Sequence, residues 1–273
     1  MNAGSKLGIV AGGGDLPIHL IEACRSEGRP VFVLALEGHA DAAKLGGVET
    51  AWIRLGEGGR GIALLRQAGV VDLVLAGRVR RPALAELMPD ARTAKVLAKA
   101  GLNFLGGDNA LIKTVVRELE GEGFRVVAPE TLAAALIAPA GVLGRHAPDD
   151  AARADIARGL EVVRALGRLD VGQAAVVQQG IVLGVEAVDG TDALIDRAAR
   201  LRRTGPGGVL VKAAKPGQER RVDLPAIGAA TVAHAAAAGL RGIAVEAGGA
   251  LILGRAGVVR DADAAGLFVV GVT

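Results

Sequence analysis

Through the first half of the chain, short runs of aliphatic and β-branched residues alternate with longer stretches whose apolar positions recur at helical spacing. The runs at 7–11, 31–36, 51–54, 73–76 and 125–127 are apolar at nearly every position. Strands covered on both faces of a sheet carry that pattern. Helical periodicity fills 16–27, 60–68, 90–100 and 109–122. Asp90 stands where a helix N-cap is wanted, and Gly28, Gly69 and Gly101 stand where helix ends take a left-handed residue. Strand and helix in alternation predict a parallel sheet with helices on both faces, a Rossmann-like α/β domain over residues 1–130.

The rhythm changes at 128–150, where Pro129, Pro139, Pro148, Gly141 and Gly144 cluster. Such punctuation predicts a linker at 131–149. Beyond it come a helix over 150–167 and an apolar hairpin, 175–178 with 181–187, turned by Gln179-Gly180. Strands at 209–212, 243–246, 250–253 and 267–272 and an Ala-rich helix at 231–238 complete a second, less regular α/β domain over 150–273.

Composition narrows the chemistry. In 273 residues there are 41 Gly without a three-residue period, and the 51% hydrophobic content with mean hydropathy +0.40 supports packed cores rather than collagen or disorder. There is no Tyr, and four Phe with one Trp leave little to stack single-stranded nucleic acid on, so nucleic acid is not an expected partner. The single cysteine, Cys24, lies on an apolar helical pattern and reads as a buried, inert thiol in a reducing cytoplasm. His19, His39, His146 and His234 are too far apart for a local zinc site. A metal here is expected on carboxylates. Residues 1–6 run into the first strand without a signal peptide, and no apolar run reaches the ~18 residues of a spanning helix. The net charge is +3 and the pI near 9.3. Its Arg excess reflects either genome composition or planar contacts to phosphate.

Several segments could carry chemistry. AGGGDLP at 11–17 joins the first strand to the first helix, and amides around Gly12, Gly13, Gly14 and Asp15 could cradle a phosphate there, or the glycines could serve only a tight turn. Pro17 occupies the place of the third glycine of the dinucleotide fingerprint, which disfavours a nicotinamide enzyme. Glu37, at the end of the second strand, is placed for a ribose or is an exposed acid before a turn. Arg78, Arg80, Arg81, Arg92, Lys95 and Lys99 form a basic cluster broken only by Glu86 and Asp90. Its Arg92, Lys95, Lys99 face meets either water, a phosphorylated ligand or anionic lipid headgroups.

In the second half the hairpin delivers Glu186, Asp189 and Asp192 within seven residues, a set that suits magnesium. Alternatively Asp189 is a turn residue and Thr191 or Asp192 a helix cap. The loop with Lys215, Gln218, Glu219, Arg220, Arg221 and Asp223, entered from Lys212 and bounded by Pro216 and Pro225, could bind phosphate through its cations and place metal or water through its acids. It could also be solvated surface.

AGGGDLP at 11–17, GGDNALI at 106–112, VVQQGIVLGVEAVDGTD at 176–192, KPGQERRVDLPAIG at 215–228 and GIAVEAG at 242–248 together resemble the LpxI-type UDP-2,3-diacylglucosamine pyrophosphatases of lipid A biosynthesis, and the resemblance spans essentially the whole chain. It implies two α/β domains, magnesium-dependent hydrolysis of a UDP-linked diacylated glucosamine lipid to UMP and 2,3-diacylglucosamine 1-phosphate (lipid X), and peripheral contact of a cytoplasmic enzyme with the inner membrane. It carries the family's essential acid onto Asp223 and makes Lys212, Gln218 and Arg221 candidates for diphosphate contact, to which the charged loop itself adds Lys215 as a candidate for substrate binding. Glu186 and Asp192 are further candidate catalytic carboxylates, with Asp223 and Glu186 as candidate metal ligands. The chain departs from the family pattern at Glu219 and Asn109, where Asp is commoner. The competing readings are a nucleotide-dependent oxidoreductase or regulatory nucleotide-binding module, and a lipid carrier without turnover. A homo-oligomer is left open.

Overall fold

A computed structural model describes residues 4–80, 87–100 and 108–273, without the side chains of Lys99, Ala100 and Asp108. Arg81, Glu86, Gly101 and residues 106–107 of the basic cluster and the expected motifs lie outside the described residues, as does the Lys99 side chain. The chain divides into two units, one of residues up to Ala134 with Glu219–Val222, the other of Ala135–Gln218 with Asp223–Thr273.

The first unit runs β1 (Leu7–Ala11), α1 (Leu16–Ser26), β2 (Val31–Leu36), β3 (Glu49–Ile53), α2 (Gly58–Gln67), β4 (Asp72–Ala76), α3 (Ala91–Ala100), α4 (Asp108–Gly121), β5 (Arg125–Val126) and the single turn α5 (Pro129–Leu132). Its sheet is wholly parallel in the order β3-β2-β1-β4-β5. Leu7 and Ile9 on central β1 are completely buried, as a doubly covered strand requires. Asp90 caps α3 by accepting the Thr93 N–H at 2.7 Å, and its other oxygen takes the Gly59 N–H at 2.7 Å. The amino end of β4 holds a buried ion cluster. Asp72, with no exposed surface, accepts from Arg29 at 2.5 Å, Arg125 at 2.6 Å and Ser5 at 3.2 Å.

The second unit contains β6 (Gly141–Val142), α6 (Asp150–Arg168), β7 (Ala174–Gln178), β8 (Ile181–Val185), α7 (Gly190–Arg200), β9 (Val209–Lys212), β10 (Ala226–Ile227), α8 (Ala229–Ala237), β11 (Gly242–Glu246), β12 (Leu251–Ile252), α9 (Arg255–Ala264) and β13 (Phe268–Val272). Six strands form a sheet in the order β6-β13-β11-β9-β7-β8, in which β9, β11 and β13 are parallel and β6 and β7 run against their neighbours. Side chains of Val209, Val211 and Ala244 pack on α6, and those of Leu210, Ile243 and Val245 on α7, α8 and α9. The alternation along each strand divides the two layers.

The boundary between the units, at Ala134 and Ala135, falls inside the stretch expected as a linker, 131–149, which also holds the end of α5 and the strand β6 paired with β13. Its prolines punctuate short elements. Two other expectations change. The run at 250–253 is not in the main sheet, because Leu251 and Ile252 pair with Ala226 and Ile227 in a two-stranded sheet. The second unit is also more regular than expected, since α9 supplies a helix between β12 and β13.

Gln179 and Gly180 turn the β7–β8 hairpin with φ of 54° and 75°, and both N–H groups are taken by buried Asp155 of α6, at 3.1 and 2.6 Å. Asp155→Ala leaves two donors without that acceptor and is expected to destabilise the chain by about 2 kcal/mol. Urea unfolding checks it. An unchanged midpoint would mean the turn forms without α6.

Candidate active site

Strand directions in the second unit bring its polar side chains to one edge. Lys212 ends β9, Glu246 ends β11, and Glu186 follows the end of β8, while Gln173 precedes the antiparallel β7. Ala174 stands opposite Lys212, and Val245 stands beside Lys212 on the other side. The Glu186 N–H extends the hairpin pairing to the Ala174 carbonyl at 2.8 Å. Carboxyl ends of parallel strands are where α/β sheets gather ligands.

Three buried side chains are linked in series at this edge. The Lys212 ammonium, 5% exposed, donates to Thr191 Oγ1 at 2.7 Å and to the Ala226 carbonyl at 3.1 Å. Thr191 in turn donates to Glu186 Oε1 at 2.5 Å, and Glu186 Oε2 accepts the Gln173 N–H at 2.9 Å. Gly172 permits the approach, since a Cβ there would lie 2.1 Å from the Glu186 carbonyl oxygen.

The loop after β9 adds the second group. Buried Gln218 donates through Nε2 to Asp223 Oδ2 at 2.5 Å and accepts the Lys215 N–H at 2.9 Å, so the amide holds one oxygen of the Asp223 carboxylate. The same Nε2 lies 3.5 Å from Gln173 Oε1, which ties this loop to the start of β7. The Lys215 ammonium pairs with Asp170 at 2.8 Å. Glu246 accepts the Ala214 N–H at 3.0 Å and so anchors the beginning of the loop to β11.

The expected carboxylate trio does not gather as a metal cage. Both oxygens of Glu186 are engaged, Asp189 pairs with Arg197 at 2.8 Å and accepts the Ala187 N–H, and Asp192 lies in the first turn of α7. Proximity in sequence placed these acids together, and the hairpin and helix aim them at different partners. Among the described residues no three His, Cys, Asp or Glu side chains are grouped to hold a metal ion. In this structure Glu186 is an internal anchor, one oxygen accepting from Thr191 and the other from the Gln173 N–H. Asp223 fits a different arrangement, because magnesium commonly takes one or two protein carboxylates and completes its shell with phosphate oxygens and water.

In the first unit the Gly-rich loop lies where the strand order reverses between β1 and β4. The Gly12 N–H donates to the Ala76 carbonyl and the Gly13 N–H to the Arg78 carbonyl, each at 2.8 Å. A Cβ at Gly12 would stand 2.6 Å from the Arg78 oxygen. These two glycines therefore serve backbone closure, and their N–H groups are not a phosphate cradle. Gly14 turns the chain with φ of 88°, and Asp15 caps α1 by position while pairing with Lys44 at 2.6 Å.

Arg221 is engaged within the protein. Nε and Nη2 meet the Glu219 carboxylate at 2.9 and 3.0 Å, and Nη1 meets Glu120 at 2.6 Å. The hydrogen bonds from Arg221 hold Glu219 below the usual carboxylate range, although burial opposes them, and the two carboxylates push Arg221 up. Arg221 here clamps Glu219 and Glu120. The two departures from the family pattern meet, for the Glu219 N–H donates to Asn109 Oδ1 at 3.1 Å. Of the basic helical face, Arg92 pairs with Glu122 and Lys95 is exposed. Cys24 is buried, and burial pushes its thiol up, as an inert thiol requires.

The spacing of residues did not reveal Gln173, the linking position of Thr191, or Glu246. Their signal is the register of strand ends, which appears only once the strands are paired.

Residues 6–136 match the model of the LpxI N-terminal domain, and residues 139–270 that of the LpxI C-terminal domain. The UDP-2,3-diacylglucosamine pyrophosphatase LpxI of Caulobacter vibrioides is 45% identical to the chain, over 98% of this chain and 97% of that protein.

Proposed function

The chain belongs to the LpxI family, and from that membership we propose that it hydrolyses the diphosphate of UDP-2,3-diacylglucosamine in lipid A biosynthesis, releasing UMP and lipid X by magnesium-assisted attack of water. The observation that supports the proposal is a buried ammonium, Lys212, at the end of β9, followed in the next loop by a carboxylate, Asp223, that accepts a hydrogen bond from the buried Gln218 amide. Diphosphate cleavage needs charge neutralised on the transferring oxygens and a positioned water, and it needs no covalent nucleophile.

In this reading Asp223 meets the reacting centre, Gln218 sets its orientation, and Lys212 meets the diphosphate. Magnesium bound by diphosphate oxygens and Asp223 would supply further charge neutralisation. Glu186 keeps its place inside the protein and touches no substrate. No described helix is long and apolar enough to cross a membrane. A substrate with two acyl chains nevertheless places the encounter at the bilayer surface, so the enzyme works in peripheral contact with the inner membrane. Pairing of Arg92 with Glu122 removes that residue from the expected lipid-facing set.

Mass analysis of products from purified chain and UDP-2,3-diacylglucosamine tests the proposal. UMP and lipid X are expected. A complex with lipid X and no turnover would favour a carrier and overturn it. Chelation should abolish hydrolysis and added magnesium should restore it, whereas full activity in excess EDTA would remove the metal from the mechanism.

A further inference from the structure

Thr191 is 7% exposed, and its hydroxyl stands midway in the series from Lys212 to Glu186. An ammonium only donates hydrogen bonds. Thr191 Oγ1 must therefore accept from Lys212, and its single proton is committed to Glu186. Because Glu186 Oε2 already accepts from Gln173, the series has one polarity, from the end of β9 to the end of β8. The hydroxyl thus reaches across the sheet edge to other elements rather than back onto α7. Lys212 has a flexible four-carbon stem, and a cation that must meet a diphosphate at a defined point needs such a tether.

We infer that Thr191 is a positioning residue for the hydrolysis: it transmits the fixed location of the Glu186 carboxylate to the Lys212 ammonium and so sets where that cation meets the diphosphate. The inference rests on the diphosphate hydrolase reading above. It differs from a packing role in requiring the hydroxyl itself, and in acting only through Lys212. Serine keeps the hydroxyl. Valine keeps nearly the same shape without it.

The test compares wild type, Thr191→Val, Thr191→Ser, Lys212→Met and the double variant Thr191→Val/Lys212→Met. Thermal unfolding, hydrolysis of UDP-2,3-diacylglucosamine and calorimetric binding of UDP are measured on each. Thr191→Val is expected to lower kcat roughly 30-fold with KM raised no more than about fivefold, while Thr191→Ser stays within about threefold of wild type. UDP affinity should weaken about fivefold in Thr191→Val, and neither quantity should fall further when that change is added to Lys212→Met. Wild-type kcat in Thr191→Val, or losses that multiply with those of Lys212→Met, would overturn the inference. If Thr191→Val does not fold, Thr191→Ala takes its place in the same cycle. Should wild type bind UDP yet leave the lipid substrate intact, the hydrolase reading fails. The UDP affinities then decide the positioning role by themselves, equal values for wild type and Thr191→Val overturning it.

Discussion

Asp223→Ala is expected to lower kcat on the order of 100-fold or more while KM changes comparatively little. The Gln218 amide holds one Asp223 oxygen at 2.5 Å, and Gln218 is itself fixed by the Lys215 N–H. A carboxylate held through one oxygen can take the proton of an attacking water or ligate the magnesium that polarises it. Either role acts chiefly in the transition state, so the loss belongs in kcat. Gln218→Ala should reproduce part of the defect, because it leaves the carboxylate present and unoriented. Glu186→Gln and Asp192→Ala are the comparison set, measured by steady-state hydrolysis beside thermal unfolding. A folded Asp223→Ala protein with near-normal kcat, together with an inactive Asp192→Ala, would move the catalytic centre to the start of α7.

The largest expected effect on stability lies in the first unit. Burial, the strongest single influence on Asp72, pushes its carboxyl up, but the hydrogen bonds and charges of Arg125 and Arg29 together hold it below the usual carboxylate range. Removing one partner of a buried ion pair leaves an uncompensated charge, so Asp72→Ala should destabilise this unit by about 3–5 kcal/mol. Trp52, the only tryptophan, lies on β3 and reports the unit's unfolding in urea. The pH dependence has a definite sign. A depressed folded-state value makes the contribution fully present above the ordinary Asp pKa and lost as pH falls through the folded value. The difference between wild type and Asp72→Asn should accordingly shrink on acidification below about pH 4. A constant difference would show that Asp72 acts through packing.

Much of the fold was legible because tertiary context agreed with local pattern. The runs at 7–11, 31–36 and 209–212 are strands with those same bounds, since central parallel strands carry continuous apolar residues. Helix α9 escaped because RAGVVRDADA buries only Val258 and Ala262, too thin a stripe to show periodicity. Strand β6 escaped because its partner, β13, is more than a hundred residues away. Similar reasons divide the site. Asp223 enters the proposed site through its resemblance to a family motif, and Lys212 through its place at the end of a strand. The grouping of Glu186, Asp189 and Asp192 did not hold because a sequence records that three acids are close and not which partners the hairpin and helix aim them at. Gly12 and Gly13 were read as a phosphate cradle because strand, glycines and helix in succession also describe a loop closed on its neighbour.

The most direct test of the central claim is Asp223→Asn, which keeps the side chain's shape and an oxygen for Gln218 while removing the charge. Wild type and variant would each be mixed in excess with UDP-2,3-diacylglucosamine and magnesium, and a single turnover followed by the appearance of UMP and lipid X. Rapid product formation by wild type, with substrate bound but uncleaved on Asp223→Asn, is the predicted result. Equal single-turnover rates for the two proteins would contradict it.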